Sequence, residues 1–348
     1  MEATRRSLLL NPDHKLTMGT YRRILETSPQ AAQIIGTLRC YLFNKIYVGI
    51  SVINFNRSDR TRRCVANILS LAQIPYLIVV LDNGSKHYDN REIIPDFIDS
   101  TNTLYSGLLE FQHFSCQLDL YYVVSTKCYI LFVSSNKNLG FCLGHNLIVE
   151  FMEAIGITYV VILNNDVVVT PGCFEILLST ARQSGVGAVS PLICDETGEL
   201  WYAGGRVSWY GYRYSTRVDS FETPYYTEVY SGCCVIFAVD VYFDLGGMNN
   251  KLFICLEEPD FSGRIKKSGY KIFVEPRAKV VHEVGSTLGR KGSRYHDYFW
   301  VRNRYLFSLL HNKPVIHLIF AVIYTGLRLF RWLIYFFMGS SYRIRAEV

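Results

Sequence analysis

Several signatures of common protein classes are missing from this chain of 348 residues. Charged residues make up only 19% of it against 49% apolar residues, which excludes a disordered, highly charged protein. The 25 Gly and 10 Pro follow no fixed period, so collagen-like and low-complexity classes are excluded as well. The ten Cys include no C-x-x-C pair and no Cys/His group at zinc spacing, which favours a reduced compartment. The run of three Leu near the N-terminus is too short for the core of a signal peptide.

The formal charge of +6 is unevenly distributed. Residues 290–348 contain ten Lys or Arg and two acidic residues, and residues 1–45 contain seven Lys or Arg and three acidic residues. The middle of the chain is therefore net acidic. This pattern suits a metal-dependent acidic centre between two basic ends.

Apolar, β-branched runs alternate with helical patterns from residue 46 to about residue 192. Four such runs, IYVGISVINFN, YLIVVL, YILFVSS and YVVIL, predict buried strands of a mostly parallel sheet in an α/β fold. Polar residues follow several of these strands, and ligands of such sheets bind beyond the carboxyl ends of the strands. Residues 87–128 lack clear periodicity and predict an insertion with at most a helix and a hairpin.

Nine short motifs follow one another between residues 47 and 310. They are VINFN, VVLDNGS, NKNLGFCLGHN, LNNDVVV, YSGCCVIF, the acidic cluster at 257–260, GYKIFVEP, VVHEVGST and a late RN. In this order they resemble family 2 glycosyltransferases, and more narrowly the bacterial branch that contains rhamnosyltransferases. The resemblance implies a GT-A fold with helices on both faces of the sheet, nucleoside-diphosphate sugar donors, and inversion of the anomeric carbon. It assigns 46–310 to the glycosyltransferase domain, 1–45 to an N-terminal extension and 311–348 to a basic amphipathic segment.

The resemblance implies a donor site at the ends of the first strands. Asp82 matches the family residue that binds the nucleobase or ribose, and an Asx-turn is the alternative explanation of this carboxylate. The other donor-site candidates are Asn54, Asn56, Asn138, Gly140, Gly144, Asn164, Asn165 and Arg302. The first two would line the pocket of Asp82, the two glycines resemble a loop over the nucleotide sugar, and the Arg302 guanidinium would meet the diphosphate.

A metal site is implied at the end of the YVVIL strand. Asp166 matches the last Asp of the family's D-x-D element, in which Asn164 replaces the first Asp. Carboxylate oxygen is the ligand that Mg²⁺ or Mn²⁺ prefers when the ion bridges a diphosphate. His282 ends a later apolar run and is the second predicted metal ligand. Considered alone, the Asn-Asn-Asp sequence would be a turn and His282 a structural residue.

An inverting transfer needs a general base for the acceptor hydroxyl and a Lewis acid for the leaving diphosphate. In the family the base is the Asp of a Glu-Asp pair, and Glu258 stands at that position, followed by Pro259. Glu257 and Asp260 are alternative bases. Clustered carboxylates raise one another's pKa, which suits a base that works near neutral pH. The alternative is a solvated acidic helix start favoured by the helix dipole.

Residues 315–338 are apolar except for a narrow polar stripe. At about 100° per residue, the stripe contains His317, Tyr324, Arg328, Arg331 and Tyr335. The longest uncharged stretch is shorter than the roughly 20 residues needed to cross a bilayer. The pattern therefore predicts a helix that lies in the membrane interface, with its Arg side chains reaching anionic headgroups. Packing on the chain's own core or in a homo-oligomer is the alternative.

These features together predict a glycosyltransferase that is peripheral on the cytoplasmic face of the membrane. We expect it to use Mg²⁺ or Mn²⁺ and to move one sugar, from dTDP-rhamnose or a UDP-sugar, to a hydroxyl of a glycan or lipid-linked glycan. The Q-x-x-R-W signature of processive synthases is absent, which favours single-sugar addition. We expect no nucleic-acid partner.

Two other functions fit parts of the sequence. A sugar nucleotidyltransferase would need a Gly-rich basic loop after the first strand, which NFNRSD does not supply. A catalytically degenerate binding or scaffold protein is consistent with Asn164, Glu258 and Pro259, which depart from the family pattern. The P-loop, G-x-G-x-x-G and G-x-S-x-G motifs of other enzymes are absent.

Overall fold

The computed structural model of the protein describes residues 29–42, 46–86, 93, 103–111, 114–209, 211–283 and 294–338. The helices are α1 (Pro29–Leu42), α2 (Ser58–Leu71), α3 (Gly140–Ala154), α4 (Cys173–Ala181), α5 (Val239–Asp244), α6 (Glu257–Lys267), α7 (Arg294–His311) and α8 (Pro314–Met338), with a 3-10 turn at Asn250–Leu252. The strands are β1 (Val48–Asn54), β2 (Leu77–Asn83), β3 (Thr103–Glu110), β4 (Ser115–Val123), β5 (Cys128–Ser135), β6 (Tyr159–Asn164), β7 (Val167–Val169), β8 (Val186–Cys194), β9 (Leu200–Tyr202), β10 (Gly205–Ser208), β11 (Gly211–Tyr214), β12 (Tyr225–Thr227), β13 (Cys234–Ala238) and β14 (Lys271–His282).

One large sheet with parallel strands at its centre organises the fold. Its order is β12-β14-β8-β13-β6-β1-β2-β5-β4-β3, with β7 paired to β14 and β9 paired to β8. Strands β5, β2, β1 and β6 run parallel to one another, and β8 runs parallel to β14. The predicted α/β class with a mainly parallel central sheet is confirmed.

The alternation of side chains along the central strands separates two apolar cores. In β2, Leu77, Val79 and Leu81 belong to one core, whereas Ile78 and Val80 belong to the other. Helices α1, α3 and α6 contribute to the first core, and α2 and α4 contribute to the second. Because both faces are covered, the central strands are apolar throughout, which explains the continuous apolar runs in the sequence.

The predicted insertion at 87–128 contributes the β3–β4 hairpin in its described part. Strand β4 pairs antiparallel with β5 and so extends the sheet. Helix α1 packs beside this hairpin, where Gln30 Nε2 donates to the Leu108 carbonyl at 2.6 Å. Although α1 lies in the predicted N-terminal extension, its buried face belongs to the main core. The proposed boundaries at residues 45 and 310 stay predictions, and residues 1–28 lie outside the described part of the chain.

Helix α8 contacts α7 through one face. The Tyr305 ring lies 5.8 Å from the Phe320 ring and 5.2 Å from the Tyr324 ring. His317 Nδ1 lies 3.2 Å from Ser308 Oγ. Two members of the predicted polar stripe, His317 and Tyr324, therefore face the protein.

The other faces of α8 are largely exposed and apolar. Leu318 is 64% exposed and Val322 is 65% exposed. Arg328 and Arg331 of the predicted stripe also lie at the surface, and the Tyr335 side chain lies outside the described side chains. By length and composition, the stretch Pro314–Ile334 could also cross a membrane. Its interfacial orientation stays a prediction.

Candidate functional site

The predicted donor-site residues are neighbours where β1, β2 and β6 end. The parallel register places Asn54 of β1 beside Asp82 of β2, and Ile53 of β1 beside Asn164 of β6. Asn165 follows β6 directly and lies at the same sheet edge. The strand ends thus supply several polar side chains to one place.

A chain of hydrogen bonds joins these strand ends. Asn54 Nδ2 donates to Asp82 Oδ1 at 2.8 Å, and Thr61 Oγ1 donates to Asn54 Oδ1 at 2.8 Å. Asn165 Nδ2 donates to Thr61 Oγ1 at 2.9 Å. The backbone N–H of Ser85 donates to Asp82 Oδ2 at 3.1 Å, and its hydroxyl donates to Oδ1 at 2.5 Å. We call these five residues the Asp82 pocket.

Asp82 is a buried carboxylate that is only 2% exposed. Burial raises its pKa, while the hydrogen bonds from Ser85 and Asn54 act in the opposite direction. Asp82 also caps the following turn through Ser85, so the turn and the pocket share one carboxylate. Asn56 borders this turn at φ 56°, where its backbone N–H donates to Ser85 Oγ at 2.8 Å.

The predicted loop over the nucleotide sugar is attached to the end of β2. Asn83 Oδ1 accepts from the Leu139 N–H at 2.7 Å, and its Nδ2 donates to the Gly140 carbonyl at 3.1 Å. Asn138 is exposed, and its Oδ1 accepts from the Gly140 N–H at 2.9 Å. Gly144 serves packing instead, because a Cβ there would lie 2.8 Å from a side-chain carbon of β1.

The same loop is attached on its other side to Phe253. The Phe253 carbonyl accepts from the Phe141 N–H at 2.7 Å and from the Cys142 N–H at 3.2 Å. Gly140 has φ 75°, and a Cβ there would lie 2.5 Å from the Phe253 ring. Glycine is therefore required both by the backbone conformation and by the close approach. We call residues 138–142 the donor loop.

The pairing of β7 with β14 brings the two predicted metal ligands together. His282 Nε2 lies 3.2 Å from Asp166 Oδ1, and the two residues are buried. Arg60 Nη1 lies 3.7 Å from Asp166 Oδ2 and 3.4 Å from Glu283 Oε2. A carboxylate and an imidazole thus meet beside a fixed positive charge.

This donor set could supply two of the six ligands that a divalent cation such as Mg²⁺ or Mn²⁺ takes. Carboxylate oxygen suits Mg²⁺ and Mn²⁺, and the imidazole nitrogen shifts the preference toward the transition metal. Within the described ranges, no group of three or more His, Cys, Asp or Glu is placed to hold a metal. Asn164 stands where the family has its first Asp, and its backbone N–H donates to the Cys233 carbonyl at 2.9 Å. The remaining ligands would have to come from phosphate oxygens and water.

Glu257 and Glu258 begin α6, and we call them the glutamate pair. Glu258 Oε1 accepts from the Tyr214 hydroxyl at 2.9 Å and from the Gly232 N–H at 3.2 Å. Glu257 is 6% exposed, and its Oε2 has no hydrogen-bond partner among the described residues. Burial raises the pKa of both carboxyls; the charge of Glu258 raises that of Glu257 further, whereas the bonds from Tyr214 and Gly232 limit the rise at Glu258.

Trp201 connects the neighbourhood of the glutamate pair with the metal candidates. Its ring is 5.1 Å from the Tyr214 ring and 5.2 Å from the His282 ring. The Tyr214 hydroxyl in turn binds Glu258. A chain of contacts through two aromatic side chains therefore links Glu258 to His282.

Two predicted site residues have partners within the fold. Asp260 accepts from Arg264 Nη2 and lies near His311 Nε2, both at 2.8 Å. Burial would raise the pKa of Asp260, but Arg264 and His311 together hold it below its ordinary value. The glutamate pair is therefore better placed to supply a base. The Arg302 guanidinium is engaged by the carbonyl of Leu252 at 3.0 Å and by that of Lys251, so contact with a diphosphate stays a prediction.

Several contributors were missed by sequence reasoning. Arg60 and Thr61 lie in the first turn of α2, directly after β1, and this strand-to-helix position was an available signal. Ser85 lies within the DNGS turn that was noticed only for its Asp. Tyr214 lies outside the nine motifs, and Gly232 lies in YSGCCVIF without any sign of its partner, because both meet Glu258 only through the folding of distant segments.

No protein-family model matches the chain. Two curated relatives are N-acetylglucosaminyl-diphospho-decaprenol L-rhamnosyltransferases of Mycobacterium tuberculosis, from strains CDC 1551 / Oshkosh and ATCC 25618 / H37Rv. Each is 27% identical over 152 residues, which cover 38% of this chain and 49% of the relative. The chain spans about half the length of these relatives in the match.

Among solved structures, the chain is similar to GalNAc-T7 with UDP, GalNAc and Mn²⁺, with a TM-score of 0.52 and 15% identity. This match covers 76% of the chain and 51% of GalNAc-T7. A second similar structure is S. aureus TarS 1-349, with a TM-score of 0.47, 12% identity, and coverage of 75% and 64%. The predicted GT-A type of fold is confirmed.

Proposed function

We propose that this chain is an inverting family 2 glycosyltransferase that moves one sugar from a nucleoside-diphosphate sugar to a hydroxyl of a glycan or lipid-linked glycan. The observation that carries the proposal is the grouping of the Asp82 pocket and the Asp166–His282 pair at the ends of the parallel strands, with the glutamate pair linked to them through Trp201. The motif order and the GT-A type of fold support it. The rhamnosyltransferase relatives favour dTDP-rhamnose as the first donor to test, with UDP-sugars next.

The Asp82 pocket would bind the nucleoside. A nucleobase imide or a ribose hydroxyl donates to Asp82, whose carboxylate is held in place by Asn54 and Ser85. Thr61 and Asn165 fix the amide of Asn54, so the acceptor atoms do not need to be reorganised when the ligand arrives.

Asp166 and His282 are the residues that would hold Mg²⁺ or Mn²⁺. When bound, the ion supplies positive charge where negative charge develops on the leaving diphosphate. Arg60 adds a fixed cation on the same side, next to Asp166. The Mn²⁺ named with GalNAc-T7 supports the choice of ions to test.

Glu258 would act as the general base. The acceptor hydroxyl transfers its proton to Glu258 while its oxygen bonds to the anomeric carbon and the bond from that carbon to the diphosphate oxygen breaks. The donors Tyr214 and Gly232 hold the carboxylate in one orientation. A raised pKa makes Glu258 a stronger base than an exposed glutamate.

The acceptor would be presented at a membrane surface. Exposed apolar side chains of α8 would enter the interface of the cytoplasmic leaflet, with Arg328 near anionic headgroups. The β10–β11 hairpin connects this helix to the site, because Trp209 at its turn contacts Phe320 of α8 and Tyr214 at its end binds Glu258. The lipid named in the relatives' substrate is consistent with such an acceptor.

The proposal is tested with a panel of nucleoside-diphosphate sugars in the presence of Mn²⁺ or Mg²⁺. Release of nucleoside diphosphate is measured for the wild-type chain and for Asp166→Ala, with membrane extract added as an acceptor source. We expect metal-dependent release with one donor and its loss in the variant. Asp219→Asn is the matched control, because this Asp lies in an exposed ion pair with Arg217.

The competing functions give different results in the same panel. A catalytically degenerate binding protein would retain one nucleotide in equilibrium dialysis without releasing the sugar. A sugar nucleotidyltransferase would release pyrophosphate from a nucleoside triphosphate and a sugar phosphate. Either result would contradict the transferase proposal.

A further inference from the structure

Residues 251–256 connect the donor loop to the glutamate pair, and we call them the linking segment. Phe253, Cys255 and Leu256 have φ values of 65°, 73° and 67°, although none of them is glycine. L-residues rarely adopt this conformation, and it persists only where surrounding contacts enforce it. The structure shows which contacts do so.

Two adjacent side chains of α7 bind the carbonyls of the linking segment. Asn303 is fully buried, and its Nδ2 lies 2.8 Å from the Leu252 carbonyl, 2.7 Å from that of Ile254 and 2.8 Å from that of Cys255. Arg302 Nε donates to Asn303 Oδ1 at 2.9 Å and so orients this amide. The positive φ values of the linking segment go together with three carbonyls that point toward Asn303, and the Asn303 amide holds them there.

The two ends of the linking segment reach two parts of the site. On one side, the Phe253 carbonyl accepts from the N–H groups of Phe141 and Cys142 in the donor loop. On the other side, the segment continues directly into Glu257. A displacement of the segment would therefore move the donor loop and the glutamate pair together.

Helix α7 also holds α6 at a second point. His311 Nε2 lies 2.8 Å from Asp260 Oδ1, within the first turns of α6. The Phe299 ring of α7 stacks on Phe253, with ring centroids 4.9 Å apart. These contacts keep α7 fixed relative to the linking segment, so that the Asn303 amide can act as a rigid support.

We propose that Asn303, oriented by Arg302, is a positioning residue that sets the place of the glutamate pair relative to the donor loop. The effect of Asn303 on catalysis rests on the proposed function, whereas its effect on the position of the linking segment does not. It gives the late RN motif a role in holding the backbone, while the contact between Arg302 and a diphosphate stays a prediction.

The test compares Asn303→Ala with Ser308→Ala in the full chain. Ser308 is also a fully buried polar residue of α7, but its hydroxyl contacts Asn312 and His317 and does not reach the linking segment. Arg302→Lys is the second variant, because it keeps the charge and the Asn303 amide but loses the bond that orients this amide and weakens the contacts of the guanidinium with the Lys251 and Leu252 carbonyls. Amide hydrogen exchange is measured first, since it requires no activity.

We expect Asn303→Ala to speed exchange at least about 10-fold in peptides that cover 139–143 and 251–258, while peptides of β1 and β2 keep their wild-type protection. Arg302→Lys should give a smaller effect in the same peptides, and Ser308→Ala should leave them unchanged. Unchanged exchange in Asn303→Ala would overturn the inference. So would exchange that is equally faster throughout the chain in Asn303→Ala and in Ser308→Ala.

Donor hydrolysis then tests the catalytic part. We expect a fall in kcat of about 10²-fold in Asn303→Ala, as for a misplacement of about 1 Å. The acid limb of its pH–rate profile should move to higher pH, because a displaced Glu258 loses the hydrogen bonds from Tyr214, Tyr212 and Gly232, which lower its pKa, while the Glu257 carboxyl still lies beside it. The position of this limb does not depend on how much of the protein is folded. A wild-type limb in Asn303→Ala would refute the positioning role, whereas a wild-type chain without turnover would refute only the proposed function.

Discussion

Glu257 and Asp260 lie one turn apart at the beginning of α6, and both carboxylates are buried. Asp260 has two basic partners, Arg264 and His311, each at 2.8 Å. Glu257 has an oxygen without a partner among the described residues, and its neighbour Glu258 carries the same charge. As a result, the pKa of Asp260 is lowered and that of Glu257 is raised.

The difference shows that carboxylates at the start of one helix can have different roles: one stabilises the structure, and the others are available for chemistry. The charge of Arg264 and the hydrogen bond with His311 compensate the burial of Asp260, so this residue holds α6 against α7. Glu257 is buried and Glu258 half-buried, and neither has an ion pair with a cation among the described residues. This arrangement destabilises the folded protein and leaves Glu258 as a strong base that faces neutral donors. Neighbouring side chains thus decide whether a buried carboxylate in this helix stabilises the structure or acts as a base.

The largest effect is expected for Glu258→Gln. The amide keeps the size of the side chain but cannot accept the acceptor proton, so turnover should fall about 10³-fold. Nucleotide binding at the Asp82 pocket should persist, since Glu258 does not contact it. Release of nucleoside diphosphate in a stopped assay measures turnover, and equilibrium dialysis measures nucleotide binding. If the variant kept more than a tenth of the wild-type turnover, another residue would have to be the base.

Asp260→Asn should destabilise the fold by about 2 kcal/mol, because it leaves the half-buried Arg264 without its counter-ion. A lowered folded pKa means that the stabilisation is complete above the ordinary Asp pKa of about 3.9 and is lost as the pH falls below it. Chemical denaturation at pH 7 and pH 3 measures this difference. Asp219→Asn, in the exposed pair with Arg217, is the control and should change stability by less than about 0.5 kcal/mol.

Glu257→Gln sharpens the comparison through the pH dependence of activity. The charge of Glu258 raises the pKa of Glu257, so Glu257 is still protonated when Glu258 ionises, and the acid limb of the pH–rate profile should stay in place in the variant. In both proteins activity should be lost as the pH falls through a value above the ordinary Glu pKa of about 4.3, since the base must be ionised. A limb that moves to lower pH would show that Glu257 ionises first.

The same substitution should have the smallest effect on stability, and with the opposite sign to Asp260→Asn. Glu257→Gln should stabilise the fold by about 1 kcal/mol at pH 8, because it removes a buried charge without a compensating cation. A raised folded pKa means that the penalty is absent below the ordinary Glu pKa and grows as the pH rises through the folded value. The gain should therefore disappear at pH 4, and thermal melts at both pH values test it.

The strands and the strand-end residues could be predicted because each depends on a short stretch of chain. The apolar run before Asp82 predicted both a buried strand and a polar group at its end, and the structure places Asn54 next to it in register. The same local pattern placed Glu257 at a helix start. Parallel strands bring such ends together without further information.

Partners that are distant in the chain could not be predicted in this way. The sequence marks Asp260 as one of three acidic residues, but only the folded chain brings His311 to it across 51 positions. The RN motif is recognisable in the sequence. Its contacts with backbone carbonyls could not be predicted, because every residue has a carbonyl and the residue types do not mark the partners. The hairpin that carries Tyr214 matches none of the nine motifs, and its role depends on Glu258, which lies 44 positions away.

The bonds between Asn303 and the linking segment have a consequence for the order of assembly. They join residues separated by 48 to 51 positions. The Phe253 carbonyl, in addition, accepts its hydrogen bonds from the N-terminus of α3, which is also distant in the chain. Non-local contacts of this kind form only after the chain between them has been ordered. During refolding, the circular dichroism of the central sheet and helices should therefore recover before turnover does, with the glutamate pair reaching its final position last.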